Sequence, residues 1–513
     1  MDVTFKNQVK WMPLVVIVAI ATALLLFVDP AAFPVFELAG KDGQPVVARM
    51  SAEAWFTVVI FVSCIAAIVA NVLPIGAIGM IGITVYAVVM GWHGVATNAG
   101  ELTDKKVVEK WMVAALSELD AMLIWLIVCA FLVARGFIKT GFGRRIALLM
   151  IKALGKRTLG LAYGLSFADL LLAPAMPSNT ARCGGVIYPI ANALALSYDS
   201  KPHDPSAKRL GSFLVTCIGT VNDITSAVFL TAFTGNLLAV SLARQFGVEL
   251  DFANWFLYAS VPCLVAFVCV PLFVYFVNPP EVKHTPEAPK MAAEQLQAMG
   301  KMSYGEWMMA ATVVLLLLLW VFGEKYLHVH ATAAAMIGLV FLLLTSVLTW
   351  EDVKAEKGAW DTLIWFAALL MMANQLKALG FTDWFGGLLS GQLQAHASGM
   401  HWVLVLLVLN AIYLYTHYFF ASGNAQIAAL YTVFLGVAAS LGVPVVAAAF
   451  MLAMTSNLYC SLTQYTHARG PILFGSGYVT TAVWWRTGFL VTLLTQAIFF
   501  TVGLYWWKMV GMY

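Results

Sequence analysis

The chain reads Pro177-Ser178-Asn179-Thr180-Ala181-Arg182-Cys183-Gly184-Gly185-Val186-Ile187-Tyr188-Pro189 in the middle of a long apolar stretch. Lipid penalises both the polar run and the positive charge, so such a segment is tolerated only where protein buries it or a watery cavity receives it. An arginine at membrane depth therefore indicates a functional site. The alternative is a polar kink in a helix, with a buried and paired Arg182.

The pattern around Ser178 predicts a helix that begins inside this apolar stretch. Pro177 can end one half-helix, and Ser178 is a favourable N-cap for the next. The free N–H groups and the positive dipole end of the new helix favour an anion. Ser178 and Arg182 are four residues apart, so they share one helix face. Together with Asn179 and Thr180 they form a candidate carboxylate site.

The composition indicates a polytopic membrane protein. Of the 513 residues, 61% are hydrophobic and 11% are charged, whereas soluble proteins have roughly 25% charged residues. The net charge of +3 and the lack of a long basic run argue against a nucleic-acid partner. No C-x-x-C or H-E-x-x-H motif is present, so we expect no metal and no other cofactor.

Apolar runs divide the chain into about eleven transmembrane helices, since a span needs roughly 20 residues. Two further apolar blocks, 158–196 and 424–475, are broken by Pro, Gly, Ser, Asn and Thr, and they predict re-entrant hairpins. We therefore expect an all-α membrane fold. The unbroken runs lie near 11–28, 55–73, 74–92, 120–138, 211–243, 255–277, 304–322, 331–349, 360–379, 401–420 and 484–507.

The distribution of basic residues predicts the orientation. Lys and Arg crowd the segment 139–157, which should be cytoplasmic by the positive-inside rule. Counting spans from there places the N-terminus and the polar segment 279–303 in the cytoplasm as well. The segment 105–119 has apolar residues at helical spacing and predicts an amphipathic helix at the membrane interface. We expect a multi-pass protein of a bacterial inner membrane.

An internal repeat is visible in the sequence. Ser178-Asn179-Thr180-Ala181-Arg182 matches Ser422-Gly423-Asn424-Ala425-Gln426, and Leu123-Ile124-Trp125-Leu126 matches Leu363-Ile364-Trp365-Phe366 at nearly the same offset. Inverted repeats with a site at the membrane midplane are typical of secondary transporters. The predicted organisation is an N-terminal span and periplasmic loop (1–54), a first repeat (55–278), a cytoplasmic linker (279–303) and a second repeat (304–513).

Five motifs between about residue 120 and the C-terminus resemble those of the divalent anion/sodium symporter superfamily. The resemblance is to the branch with citrate/succinate and tartrate/succinate antiporters and plastid 2-oxoglutarate/malate translocators. The motifs are Gly141-Phe142-Gly143-Arg144-Arg145-Ile146-Ala147-Leu148, Ala173-Pro174-Ala175-Met176-Pro177-Ser178-Asn179-Thr180-Ala181-Arg182, Ser226-Ala227-Val228-Phe229-Leu230-Thr231-Ala232, His417-Tyr418-Phe419-Phe420-Ala421-Ser422 and Phe474-Gly475-Ser476-Gly477-Tyr478.

The resemblance implies a homodimer in which each protomer has a scaffold domain and a mobile transport domain that moves as an elevator. It implies that the two Ser-initiated tips belong to opposed hairpins and meet at the substrate. In the exchanger branch, basic side chains after the tips take the place of sodium. Arg182 lies at the first such position, and the resemblance therefore favours anion exchange. The candidate substrate-binding residues are Ser178, Asn179, Thr180, Arg182, Thr231, Ser422, Gly423, Asn424, Gln426, Thr463 and Arg469.

The sequence departs from the exchanger pattern at two places. Gln426 is neutral where a basic residue is expected, and His467 and Arg469 are additional. Arg469 either replaces the missing charge at the other end of the substrate or faces solvent or lipid headgroups. The acids Asp169 and Asp223 are expected to pair with bases, because buried charges are usually paired. The alternatives are that they orient a tip or carry a proton.

The predicted activity is antiport of di- or tricarboxylate anions such as succinate, malate, 2-oxoglutarate, citrate or tartrate. An Arg182 left uncompensated in the empty site would make the empty crossing costly, which would favour obligatory exchange. The alternatives are sodium-coupled dicarboxylate or sulfate symport, an anion channel, and a membrane-embedded enzyme. For the enzyme no metal or nucleophile motif is found. The expected partners are small carboxylate anions, the lipid bilayer and a second copy of the chain.

Overall fold

A computed structural model describes residues 9–39, 45–98, 103–381, 384–385, 387–388, 399–420 and 422–513 of the protein. These residues are almost entirely helical, and a short antiparallel hairpin pairs Phe36 with Ala48. The hairpin strands are β1 (Phe36–Ala39) and β2 (Pro45–Ala48). The all-helical membrane architecture predicted from the sequence is confirmed.

The α-helices are α1 (Trp11–Phe27), α2 (Ala52–Val69), α3 (Ile75–Thr97), α4 (Asp104–Leu116), α5 (Met122–Thr140), α6 (Phe142–Leu154), α7 (Thr158–Leu172), α8 (Tyr188–Ser197), α9 (Gly211–Val228), α10 (Thr234–Ala243), α11 (Phe252–Val277), α12 (Glu287–Met299), α13 (Tyr304–Leu318), α14 (Ala331–Leu344), α15 (Trp350–Ala355), α16 (Lys357–Ala378), α17 (Trp402–Thr416), α18 (Gly423–Ser440), α19 (Val445–Leu458), α20 (Gly470–Phe474), α21 (Thr481–Ile498) and α22 (Leu504–Met509). Three π-helical segments (Thr180–Ile187, Leu319–Leu327 and Phe499–Gly503) and 3₁₀ turns (among them Ala173–Ala175, Leu230–Ala232 and His417–Phe419) connect them.

Nine helical segments of the described chain are long and apolar enough to cross a bilayer. Three shorter apolar helices, α1, α14 and α19, accompany them. The protein is therefore a multi-pass membrane protein. The segments are Ala52–Val69, Ile75–Thr97, Met122–Thr140, Thr158–Ala175, Phe252–Val277, Tyr304–Leu327, Trp402–Phe419, Gly423–Ser440 and Thr481–Met509.

The sequence marks several helix starts directly. Ser303 and Glu306 form a reciprocal capping box at the start of α13, with Ser303 N donating to Glu306 Oε2 over 2.8 Å. Such a box satisfies two of the N–H groups that a helix start leaves without partners.

The predicted amphipathic helix is observed as α4, whose residues Val107 and Trp111 are buried on one face.

The run 211–243, predicted as one span, is two helices. The backbone is extended at Phe229 (φ −115°, ψ 138°) and again at Phe233 (φ −148°, ψ 134°), on either side of a 3₁₀ turn. The side-chain amide of Asn236 donates to the Ser226 carbonyl over 2.8 Å and to the Phe229 carbonyl over 3.2 Å. The break is stable in an apolar setting because a side chain satisfies the carbonyls that it frees.

The segment 279–303, predicted as a linker, contains helix α12, which packs against α6. Hydrogen bonds from two threonines fix the beginning of this segment. Thr158 Oγ1 donates to the carbonyl of Val282 over 2.6 Å, and Thr285 Oγ1 donates to the carbonyl of Gly155 over 2.7 Å. These bonds hold the segment to the turn between α6 and α7.

The chain forms two compact units. Unit 1 comprises Met1–Trp125, Leu238–Glu249 and Trp360–Leu452, and unit 2 comprises Leu126–Leu237, Leu250–Ala359 and Ala453–Tyr513. Each unit draws on both halves of the sequence. The tip that begins at Ser178 lies in unit 2, and the tip that begins at Ser422 lies in unit 1.

Candidate functional site in unit 2

The predicted break in the first hairpin is present. Helix α7 ends at Leu172, a 3₁₀ turn follows over Ala173–Ala175, and helical structure resumes beyond Ser178. Ser178 Oγ accepts a hydrogen bond from Ala181 N at 3.2 Å, as expected for an N-cap. The segment Ser178–Thr180 is therefore a helix start, in which Asn179 is buried and Ser178 and Thr180 are half-buried. We call it the first tip.

Arg182 lies directly behind the first tip and is completely buried. Its Nε donates to Asp169 Oδ1 over 3.0 Å, and its Nη1 donates to the carbonyls of Met176 (2.7 Å) and Ala232 (3.1 Å). Its Nη2 donates to Ser226 Oγ over 2.8 Å. Four of its five N–H donors are thus occupied within the protein. Arg182 braces the break between α7 and the first tip, and its second Nη2 hydrogen makes no hydrogen bond to the residues that the structure describes.

Asp169 is held from both sides. Its Oδ1 accepts a hydrogen bond from Arg182 Nε. Its Oδ2 accepts hydrogen bonds from Asn222 Nδ2 over 2.9 Å and from the hydroxyl of Thr225. The predicted pairing of this acid is confirmed. The expectation that Arg182 is uncompensated in the empty site is wrong, because Asp169 neutralises it. Its charge therefore gives no reason for obligatory exchange.

A second buried ion pair joins Arg469 to Asp223. Arg469 Nη2 donates to Asp223 Oδ1, and the backbone N–H of Ser461 donates to Asp223 Oδ2 over 3.1 Å. Arg469 is 2% exposed, so its side chain does not face solvent or lipid headgroups. Its Nη1 has no hydrogen-bond partner among the residues that the structure describes. Arg469 thus keeps donors for a ligand although its charge is balanced.

The loop between α19 and α20 contacts the first tip, which the sequence alone did not predict. Asn179 Nδ2 lies 3.1 Å from His467 Nε2, although the residues are 288 positions apart. In the same loop the hydroxyls of Thr463 and Thr466 lie 2.7 Å apart, and both residues are completely buried. Unit 2 therefore brings Asn179 together with the loop that holds Thr463 and Arg469.

Thr231 links the break between α9 and α10 to the break that follows α7. Its Oγ1 donates to the carbonyl of Pro174 over 2.6 Å. Asn236, which stabilises the break between α9 and α10, also accepts a bond from Asn457 Nδ2 at 2.6 Å. Asn236 and Asn457 were missed as candidates. The available signal was an amide residue inside an apolar run, which is costly in lipid unless it has partners.

The second tip, in unit 1, has the same local design. Ser422 Oγ accepts a hydrogen bond from Ala425 N at 3.4 Å and caps α18, as Ser178 caps the first tip. Gln426 is completely buried, and its amide group bonds to the Tyr413 carbonyl (2.8 Å), Thr416 Oγ1 (2.9 Å) and His417 Nδ1 (2.9 Å). Gln426 braces its tip as Arg182 does, without a charge. Gly423 and Asn424 begin the helix.

Known sequences are similar over nearly the whole chain. The pattern of the family described as "Sodium:sulfate symporter transmembrane region" matches residues 43–513. A putative malate transporter of Bacillus subtilis, YflS, is 40% identical, over 100% of this chain and 99% of that protein. Dicarboxylate transporter 2 of Spinacia oleracea chloroplasts is 39% identical, over 99% of this chain and 84% of that protein. An L-tartrate/succinate antiporter of Shigella sonnei is 34% identical, over 91% and 95% respectively.

Two solved membrane transporters have a similar fold. YdaH of Alcanivorax borkumensis matches with a TM-score of 0.57 at 14% identity, over 97% of this chain and 98% of that chain. MtrF of Neisseria gonorrhoeae matches with a TM-score of 0.53 at 13% identity, over 96% and 92%. At these identities the likeness concerns the fold alone.

Proposed function

Because this chain belongs to the sodium:sulfate symporter transmembrane family, we propose that it is a secondary active transporter that exchanges di- and tricarboxylate anions. The expected resemblance to divalent anion/sodium symporters is confirmed by the family match and by the relatives. Those relatives are named as transporters, so we set aside the membrane-embedded enzyme. The tartrate/succinate antiporter among them supports exchange.

The observation that carries the proposal is the contact between Asn179 and His467. It joins a capped helix start to a buried polar loop that holds Thr463 and Arg469. A dicarboxylate with about two negative charges can leave water only where donors replace its hydration. The helix start supplies N–H groups and a positive dipole end. Arg469 Nη1 and the remaining hydrogen of Arg182 Nη2 supply charge-assisted donors.

In unit 2 the proposed substrate-binding residues are Ser178, Asn179, Thr180, Arg182, Thr231, Thr463 and Arg469. In unit 1 they are Ser422, Gly423, Asn424 and Gln426. The cap at Ser178 supports the first set, and the cap at Ser422 supports the second. Further parts of the proposal are a homodimer, an elevator movement, a bacterial inner membrane and a cytoplasmic N-terminus. The basic segment 139–157 supports the orientation.

Sodium-coupled symport is the second candidate, and one feature of the site favours it. Arg182 and Arg469 are each balanced by an aspartate, and Gln426 is neutral. A bound dianion would therefore bring uncompensated charge into the membrane unless cations accompany it. Exchange avoids a net charge transfer in a different way, because one dianion leaves for each that enters.

Succinate uptake into proteoliposomes distinguishes the two. Purified protein is reconstituted into vesicles that are either empty or preloaded with succinate, each with and without an inward sodium gradient. We expect uptake of labelled succinate only into preloaded vesicles, at a rate that does not depend on sodium. Sodium-driven uptake into empty vesicles would contradict exchange and establish symport. No uptake of succinate, malate, citrate, tartrate, 2-oxoglutarate or sulfate would overturn both.

A further inference from the structure

His467 is a buried polar residue that the proposed function does not yet use. Its side chain is 8% exposed, and its ring lies 5.4 Å from the ring of Phe233. Its Nε2 lies 3.1 Å from Asn179 Nδ2. Its Nδ1 is shielded from solvent and has no hydrogen-bond partner in the part of the chain that the structure describes.

The bond to Asn179 fixes which ring nitrogen carries the proton. An amide nitrogen only donates, so His467 Nε2 accepts the hydrogen from Asn179 Nδ2. A neutral imidazole with an accepting Nε2 carries its proton on Nδ1. The free side of the ring therefore presents an N–H donor.

The surroundings of this donor favour an anion as its partner. The carboxylates of Asp169 and Asp223, which lie in the same unit, are already occupied by Arg182 and Arg469. The helix start beside His467 contributes further N–H groups that no helical carbonyl can reach. A buried donor without an acceptor is unfavourable, and an anion would supply the acceptor.

We propose that His467 Nδ1–H donates a hydrogen bond to a carboxylate oxygen of the substrate at the first tip. This inference rests on the proposed transport of carboxylates. It adds His467 to the substrate-binding residues. It also gives Asn179 a second role, because its hydrogen bond selects the His467 tautomer with the proton on Nδ1. The partner is a carboxylate rather than a substrate hydroxyl, because every proposed di- or tricarboxylate contains a carboxylate, whereas succinate has no hydroxyl.

Two substitutions separate the two ring nitrogens. The side-chain amide of His467→Gln reaches the position of Nε2, so it can keep the bond to Asn179 while it places no donor at Nδ1. The shorter side chain of His467→Asn places its NH₂ near Nδ1 and gives up the bond to Asn179. Each variant therefore serves as the control for the other.

The measurement is exchange of labelled succinate and malate in preloaded proteoliposomes with wild type and both variants. We expect His467→Gln to raise KM roughly tenfold or more for both anions, since a bond to a charged group is lost. His467→Asn, which can place a donor near the position of Nδ1, should raise KM clearly less than His467→Gln does. Succinate-induced thermal stabilisation in detergent gives the same comparison for a variant that binds but does not complete the transport cycle.

Several outcomes would overturn the inference. If His467→Gln retains the wild-type KM while His467→Asn loses affinity, the ring only positions Asn179. An unchanged KM in both variants would mean that His467 does not contact the substrate. A loss confined to malate would assign the contact to the hydroxyl instead. A wild type that exchanges no carboxylate would overturn the proposed function itself, so the two failures are distinguishable.

Discussion

Arg182 and Asp169 form a buried ion pair, with Nε and Oδ1 3.0 Å apart behind the first tip. The side chains are 0% and 5% exposed. Taking two charges out of water is costly, and their attraction offsets that cost only if further hydrogen bonds complete both groups. Here Ser226, Asn222 and Thr225 provide such bonds. The pair holds the kink in shape while remaining electrically neutral.

Removal of one partner should therefore be far more damaging than removal of both. We expect Asp169→Ala to destabilise the protein by about 3–5 kcal/mol, because Arg182 is left buried and unpaired. The double variant Asp169→Leu/Arg182→Met should recover a large part of that loss. Thermal unfolding in detergent measures both. A single variant no less stable than the double variant would contradict the interpretation.

For Arg469, we predict a role in affinity that is separate from its pairing with Asp223. Arg469→Ala should raise the KM for succinate roughly tenfold, because a charge-assisted donor is lost, and it should also lower stability because Asp223 is left unpaired. Adding Asp223→Ala should restore stability without restoring KM. Recovery of KM in the double variant, or an unchanged KM in Arg469→Ala, would limit Arg469 to a structural role.

Substitutions at Ser178 can separate its role as a helix cap from a role in substrate binding. Ser178→Ala should cost about 1 kcal/mol of stability, whereas Ser178→Gly should cost only a few tenths, because glycine is acceptable at an N-cap. If the hydroxyl also binds substrate, both variants should raise KM by the same factor. Thermal unfolding and exchange kinetics test this, with Ser51→Ala at the cap of α2 as a control for capping alone. A KM that follows stability would argue against substrate contact.

The surface pair Lys139–Asp352 should stabilise the protein in a pH-dependent way. Lys139 Nζ lies 2.6 Å from Asp352 Oδ2 and, with the N–H and hydroxyl of Thr349, lowers the pKa of Asp352 from 3.8 to about 2. A lowered folded-state pKa gives stability that is present above about pH 4 and is lost as pH falls towards 2. The Asp352→Asn difference in unfolding temperature should therefore be small but measurable at pH 7 and shrink near pH 2. A difference that grows on acidification would contradict the sign.

Local features of the site were predictable because they depend on neighbours in the chain. Pro177 and Ser178 encode a helix end followed by a cap, and the structure has both. The repeated Ser422 encodes a second cap, which is also present. By contrast, the break near Thr231 was not predicted. Phe229 and Leu230 are as apolar as the helices around them, and the break depends on an amide from Asn236.

The sequence by itself determined the class of the protein, most of its apolar helical segments and the two capped tips, because hydrophobic length and capping are properties of short stretches. Only the tertiary structure decided what happens to the charges. It pairs Asp169 with Arg182. It pairs Asp223 with Arg469, which lies 246 positions away in the chain. It also brings His467 to Asn179. A sequence can indicate that a buried charge needs a partner, but the partner is chosen by how distant helices pack.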